Sequence, residues 1–488
     1  MAEALLIDAR DDVATMLDDA VAGERAAGVI LTDPVSRGHK LALRAIDAGE
    51  PVHKFGYPIG RATRPIRAGE HVHQHNVATM LGGAGSYGYT PSPPATPRAP
   101  LSATFDGYVR GDGRVGTRNE IWILPTVGCV ARTAARIAAR AAGMLSDRVD
   151  GVHAFAHPHG CSQLGADLAG TRAILASLAC HPNAAGVLIV GLGCEENQVA
   201  ALLAEIPEWR RPAIRILAAQ ASDDEVAEGV EKVIELAALA AVPRTPVGLD
   251  RLVLGVKCGG SDGLSGLTAN PLVGRISDRV VEAGGRVLLT EIPEIFGAEQ
   301  MLMDRAVDEQ VFDAIVGVIN GFKRYFIDHG EPVSENPSPG NVAGGITTLE
   351  ETSLGAVQKA GRAPLSDVIG YGARVRRDGL TLLEAPGNDA VSCTALVAAG
   401  ATAILFTTGR GTPLGFPVPT IKIATNHALA ERKPGWIDFD AGRVLDEGFD
   451  PAEAALIERV VAIASGAQTA AERNDEREIA IWKRGVTL

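Results

Sequence analysis

A chain of 488 residues with 46% apolar residues, 4% aromatics and 56 glycines has length for two or three domains and suits α/β layers better than all-β or fibrous folds. Its formal net charge of −13, with no Lys/Arg cluster, excludes nucleic acid and anionic membranes as expected partners and leaves room for a small anionic substrate, which senses only local charge. Six cysteines spread over this length do not make the disulfide framework of a small secreted protein, so reduced thiols and a cytoplasmic location are expected.

The amino terminus, MAEALLIDARDD, carries early acidic residues and no long apolar core, so no secretory signal is expected. Residues 1–90 hold short alternating segments broken by turns, such as GVILTD and PVHKFGYPIG, and read as a small, mostly β domain. A proline-rich run, TPSPPATPRAP, marks a linker at 91–103, because proline lacks the amide donor that regular structure needs. From 104 to 245, strand-like runs at 121–127, 151–156 and 186–192 alternate with alanine-rich helical stretches, a pattern of βαβ units and a parallel sheet. No apolar run reaches the ~20 residues of a membrane span. A softer boundary at AVPRTPVGLD opens a third unit, 246–488, with further runs at 252–257, 286–290, 402–407 and 418–424. Residues 334–351, SENPSPGNVAGGITTLEE, are too long for an ordinary connection and read as a functional loop.

Four cysteines end apolar runs beside glycines: Cys129, Cys161, Cys194 and Cys258. Ends of parallel strands are where open α/β sheets bind ligands. Thiolates are strong ligands for zinc, iron or an iron–sulfur cluster, so Cys161, Cys194 and Cys258, with His157, form the expected metal set, and Cys129 is a secondary candidate. The competing reading is ordinary buried thiols, which is where Cys180 and Cys393 are assigned. In the first domain, His71, His73 and His75 alternate on one strand face, spaced ~6.6–6.8 Å along it. His71 and His75 are secondary metal candidates, and His39 in SRGHK is in a position to join them; the plain alternative is hydrogen-bonded surface histidines. In GYVRGDGRVGTRNE, Arg118 and Asn119 are candidates for gripping a carboxylate, against the alternative of a salt-bridged turn. Glu195, Asp262, Asn388, Asp389, Arg410 and Lys422 each follow a strand-like run and place polar groups on the same sheet edge. GGAGSYG at 82–88 has no strand before it and no helix after, and is discounted as a phosphate loop.

These motifs together resemble the altronate and galactarate dehydratase family of sugar-acid dehydratases. The likeness runs over essentially the whole chain, through SRGHKLAL, AGEHVHQHN, DGRVGTRNEIWILPTVGCV, GCSQLG, GLGCEENQ, CGGSDGLSGLTANP, EIPEIFGAEQ, ENPSPGNVAGGITTLEE, APGNDAV, TTGRGTP, PTIKIATN and ERNDEREIAIWKRGVTL. It implies a β-clip domain of the SAF type at the amino terminus, a middle domain able to dimerise, and a Rossmann-like carboxyl-terminal domain. It also implies a divalent metal, ordinarily Fe2+ with Mn2+ as alternative, and conversion of D-altronate to 2-dehydro-3-deoxy-D-gluconate and water. A galactarate dehydratase or a sulfolactate-type C–S lyase shares the implied architecture. A dinucleotide-dependent hydride-transfer enzyme is disfavoured because no G-x-G-x-x-G strand–helix turn is present, and a non-catalytic sugar-acid binder is the third class.

Removing a proton α to a carboxylate requires a metal or fixed cations on the carboxylate oxygens, together with a base and an acid for the departing hydroxyl. Arg118 or Arg410 is expected to grip the carboxylate, with Asn119, Asn388 and Asp389 beside it. His73, Glu195, Asp262 and Lys422 are the candidates for acid and base.

Overall fold

The computed structural model describes residues 2–92, 98–99, 101–145 and 147–488. The centre of the expected proline-rich linker, at 93–97 and 100, lies outside them. The fold is the multidomain α/β architecture expected from the sequence, with small antiparallel sheets first and parallel sheets after.

The amino-terminal domain is built on turns. Gly23, Gly38, Gly49 and Gly69 all take left-handed φ values between +81° and +90°, a region open to glycine. At three of these turns the next residue is a glutamate whose carboxylate accepts its own turn's amide: Glu24 from Val21, Glu50 from Asp47 and Glu70 from Arg67, at 2.9–3.0 Å. At the fourth turn the residue is His39. Short strands between the turns form four-, three- and two-stranded antiparallel sheets.

The middle unit carries a parallel four-stranded sheet in the order Gly151–Ala154, Glu120–Pro125, Ala184–Gly191, Ile214–Ala218. Glu120–Pro125 is buried at every position, as a strand covered on both faces must be. Helix Ala131–Leu145 turns Ala134, Ile137, Ala141 and Leu145 inward, one apolar stripe at helical spacing.

The carboxyl-terminal unit is a seven-stranded, all-parallel sheet in the order Leu365–Ile369, Gly379–Leu383, Arg286–Leu289, Val253–Cys258, Ala403–Thr408, Thr420–Ala424, Phe439–Asp440. Packing is continuous between units. Helix Gly165–Ala179 of the middle unit lies against helix Asp389–Ala399 in one apolar cluster, and Val52, Ile59 and Val77 of the first domain share a cluster with Leu349 and Leu354. The segment 334–351, expected to be irregular, contains helix Pro339–Ala343 and enters helix Leu349–Ala356. Ser338 and Thr348 cap them, a signal that S-x-x-N and T-x-x-E spacing carries.

Candidate active site

Val253–Cys258 and Ala403–Thr408 are neighbours, and the chain builds outward from them in opposite directions. Such a switch point opens a crevice at the carboxyl ends of the strands. Two loops meet there: Gly259 donates to the Thr407 carbonyl at 3.0 Å, and the amides of Gly409 and Arg410 donate to Gly260 at 3.1 and 3.0 Å. Asp262 follows. Its Oδ1 accepts from the Leu264 amide and the Ser265 hydroxyl, at 3.1 and 3.0 Å, and its Oδ2 from Thr425 Oγ1 and Asn426 Nδ2, at 2.9 and 3.2 Å. Burial nevertheless pushes its pKa up. All four partners are neutral donors, which fix the carboxylate in place without countering its charge.

Beneath this loop lies a buried charge network. Lys257 pairs with Glu291 and, at 2.8 Å, with Asp389. Lys359 donates to Cys258 Sγ at 2.6 Å and pairs with Glu291 at 3.1 Å, and the Cys258 thiol lies 3.5 Å from Glu294. Burial, reinforced by Glu291, pushes the Cys258 thiol up to about 12 and Glu294 up to about 7. Burial raises Glu291 too, but Lys257 and Lys359 outweigh it and hold that carboxylate ionised. Cys258, Glu291 and Glu294 bring donor atoms within 4.8 Å of one another, yet two ammonium groups occupy the same space. A divalent cation there would meet both, so the cluster fits proton exchange better than metal binding.

The expected metal set of Cys161, Cys194, Cys258 and His157 is therefore not assembled. Cys258 is buried in the carboxyl-terminal sheet with its thiol protonated, while Cys161 and Cys194 are exposed on the middle sheet. Both ring nitrogens of His157 are engaged, Nε2 with the Pro125 carbonyl at 2.8 Å and Nδ1 with the His159 amide at 3.2 Å. No lone pair is left for a metal.

The segment 336–360 ties the first domain to this edge. Asn336 donates to Glu294, Asn341 to the Ser261 carbonyl, and Arg410 to the Gly340 carbonyl. Glu351 then takes both Lys40 and Lys54 of the first domain, each at 2.8 Å and all three side chains buried. Burial raises Glu351, but the two lysines bring it down to about 2. Backbones close the joint: a side chain at Gly263 would collide with the Gly38 carbonyl.

This docking brings four imidazoles to the crevice. His39 Nδ1 and His71 Nε2 are 3.1 Å apart, and ring centroids among His39, His71 and His73 lie 5.0–5.5 Å apart, with His75 beside His71 at 5.3 Å. The outer nitrogens are tied to the bridging segment, His39 Nε2 to the Ala343 carbonyl at 3.4 Å and His73 Nδ1 to Thr347 Oγ1 at 3.1 Å. Burial pulls His39 down, His71 to about 3 and His73 to about 4, so all three are neutral near pH 7. Next to them is a cavity of about 350 Å³ lined by Arg37, Gly38, Asp262, Arg410, Asn426 and Arg432 among others.

Other expected site residues have local tasks. Arg118, 4% exposed, makes two hydrogen bonds to Glu472, at 2.7 and 2.9 Å, and donates to the carbonyls of Ile463 and Ala467. It cannot grip a substrate, and Asn119, joined to Arg110 and the Ala240 carbonyl, cannot either. Arg118→Ala is expected to cost about 3–5 kcal/mol of stability by removing the two-pronged partner of buried Glu472, which keeps only Arg477 at 3.5 Å as a counter-charge, with kcat of the folded enzyme unchanged; urea unfolding and active-site-normalised rates check this. Glu195 caps its own loop through Thr126, Leu192 and Gly193. Asn388 caps helix Asp389–Ala399. Lys422 donates to the carbonyls of Thr412 and Leu414, and burial pulls it down to about 8. Lys257, Lys359, Arg37 and Arg432 were not anticipated. His39 is marked in the sequence as the one histidine in the glutamate position of the repeated turns.

Three family models match in succession: the altronate/galactarate dehydratase SAF domain over residues 2–80, the D-galactarate dehydratase/altronate hydrolase second domain over 107–241, and the D-galactarate/altronate dehydratase C-terminal domain over 249–487. The chain is 48% identical to altronate dehydratase of Escherichia coli and 47% identical to that of Bacillus subtilis, each over 99% of both chains. It is 33% identical to the L-threo-forming galactarate dehydratase of E. coli, over 93% of this chain and 91% of that one. With all three domains matched in order, and a polar crevice between the first and the third, the chain belongs to the altronate/galactarate dehydratase family of hydro-lyases.

Proposed function

We propose that this protein dehydrates D-altronate to 2-dehydro-3-deoxy-D-gluconate and water in the crevice between the SAF domain and the edge of the seven-stranded sheet. The observation that carries the reading is the arginine-lined cavity beside neutral imidazoles and a fixed carboxylate. The full-length likeness to two altronate dehydratases favours altronate over galactarate.

Abstraction of the C2 proton generates a dianionic enediolate, out of reach near neutral pH unless cations hold the carboxylate oxygens. Arg410 supplies a planar fork for that carboxylate, with Arg37 and Arg432 on the same cavity. Asp262 is the base: four neutral donors orient it, one of them giving up the lone pair it occupies to the incoming proton, and desolvation raises its pKa. Glu294, poised near 7 and only part-buried, exchanges protons between the Lys257–Glu291–Lys359 network and solvent.

Ferrous iron, with manganese as alternative, fits the imidazole donors. The nitrogens of His39 and His71 stand 3.1 Å apart, near enough for one ion to meet both, and imidazole suits iron. His39 and His71 would hold the ion with His73 beside them, and when bound it supplies Lewis acidity to the substrate's carboxylate and hydroxyl oxygens. His73 stands beside this pair, with ring centroids 5.0 and 5.5 Å from theirs, rather than acting as acid or base.

Arg410→Ala is expected to raise KM about 10–100-fold, the worth of a charged hydrogen bond of ~1.5–3 kcal/mol, with kcat within a few-fold; steady-state kinetics on altronate checks it. A homodimer joined through the middle domain and a cytoplasmic location belong to the same proposal, and sedimentation at the mass of one chain would remove the dimer. No described helix is long and apolar enough to cross a membrane. The deciding assay is 2-keto acid release from altronate, galactarate and sulfolactate side by side. Highest kcat/KM on altronate supports the reading, and a preference for either other acid overturns it.

A further inference from the structure

The sequence repeats one dipeptide three times at strand ends: Gly128–Cys129, Gly160–Cys161 and Gly193–Cys194. Cys258, preceded by Lys257, is not one of these. The three Gly–Cys pairs follow strands Glu120–Pro125, Gly151–Ala154 and Ala184–Gly191, which are parallel neighbours in one sheet, so all three thiols stand on a single edge. They are exposed, whereas Cys180, Cys258 and Cys393 are buried. Free cysteine is among the most buried residue types, and three exposed thiols on one edge run against that tendency.

The loops that carry them are stitched together. Gly128 donates to the His159 carbonyl at 2.9 Å, and Asn197 donates its amide to Gly160 and its Nδ2 to Thr126, at 3.0 and 3.1 Å. Ser162 donates to Glu196 at 2.8 Å. Gly160 has φ +100° and leaves no room for a side chain against the Thr126 carbonyl. Ser162, directly after Cys161, is held at φ +56°, a costly conformation for a non-glycine residue that persists where surroundings enforce it, as they do at ligand sites.

We propose that Cys129, Cys161 and Cys194 bind an iron–sulfur cluster, at a site separate from the crevice that holds the substrate. Thiolates select iron–sulfur groups and zinc among common metals. A single tetrahedral ion with bonds of ~2.3 Å requires ligand sulfurs within ~4.6 Å of one another. Among the described residues, three such donors come within 4.8 Å of one another only at Cys258, Glu291 and Glu294, so the three strand-end thiols do not meet the spacing of a single ion. Three protein thiolates leave one iron of a four-iron cluster without a protein ligand, open to an exogenous oxygen or sulfur donor.

The test uses the full-length protein under anaerobic conditions and a synthetic four-iron, four-sulfide cluster capped by small thiolates. Each protein thiol gives up its proton to a departing cap and takes its place on iron, so no electron moves. After desalting, iron and acid-labile sulfide in equal amounts are expected on the wild type, with a visible charge-transfer band. Cys129→Ser, Cys161→Ser and Cys194→Ser should each lose most of the sulfide, and iodoacetamide should label the three thiols in apo-protein and not in the loaded form. His71→Ala should retain the sulfide, which separates this site from the proposed histidine-bound ion. Absence of sulfide on the wild type, sulfide that survives all three serine variants, or one zinc per chain on these thiols in place of a cluster would each overturn the proposal.

Discussion

Replacing Glu351 with glutamine is expected to lower stability by about 3–5 kcal/mol, the cost of leaving buried charges without their partner. Glu351 is the shared counter-ion of Lys40 and Lys54, whose side chains are 0% and 2% exposed, and it sits on the helix that joins the first domain to the carboxyl-terminal sheet. Loss of the carboxylate leaves two ammonium groups in an apolar joint, where Lys40 is already pulled down to about 8 by burial. The urea midpoint of the variant should fall, with domain separation detected by limited proteolysis between the first and second units. The pH dependence has a definite sign. The folded carboxyl titrates at about 2, below its ordinary 4.5, so its stabilisation is complete above the ordinary range and is lost as pH falls from 4.5 toward 2. The variant should be flatter than the wild type across that acid window. A variant within about 1 kcal/mol of wild type would show that the ion triad is not what fastens the joint.

His71→Ala is expected to abolish retention of one ferrous ion per chain and to reduce turnover by about 10²–10³-fold, the equivalent of ~3–4 kcal/mol of lost charge stabilisation. His71 stands at the centre of the imidazole group, 3.1 Å from His39 and stacked on His73, so its removal dismantles the pair that fits an ion. His75→Ala should be milder, because His75 is exposed and meets only the outer side of His71. Metal analysis after anaerobic loading, read beside initial rates, separates a binding loss from misfolding. A His71→Ala enzyme with full iron and full rate would move the metal elsewhere.

The pattern of strand and helix made the layered architecture legible, because buried parallel strands write themselves as apolar runs such as IWIL and VLIV. The edge on which the chemistry sits was legible for the same reason: Asp262, Asp389 and Arg410 all follow such runs. What the sequence hid was the partner of each charge. Arg118 looks like a ligand grip until Glu472, far along the chain, is seen to fill its fork. Cys258 looks like its three strand-end counterparts until Lys359 and Glu294 surround it. Lys257 and Lys359 lie in KCGGSDGLSG and SLGAVQKAG, but those motifs do not mark their role, which depends on a sheet edge and a bridging segment converging from distant positions. The histidines were legible as a face and not as a site, since their meaning comes from the first domain docking through Gly38 and Gly263, where only backbones fit.

Proton abstraction is proposed at a carboxylate on the seven-stranded sheet's edge, and Asp262→Asn examines that directly. Asparagine keeps the shape and two of the contacts while removing the base, so 2-keto acid formation from altronate should fall by about 10²–10⁴ in kcat, with KM within a few-fold and the iron content of the wild type. An Asp262→Asn enzyme that turns over at the wild-type kcat would contradict the proposed site.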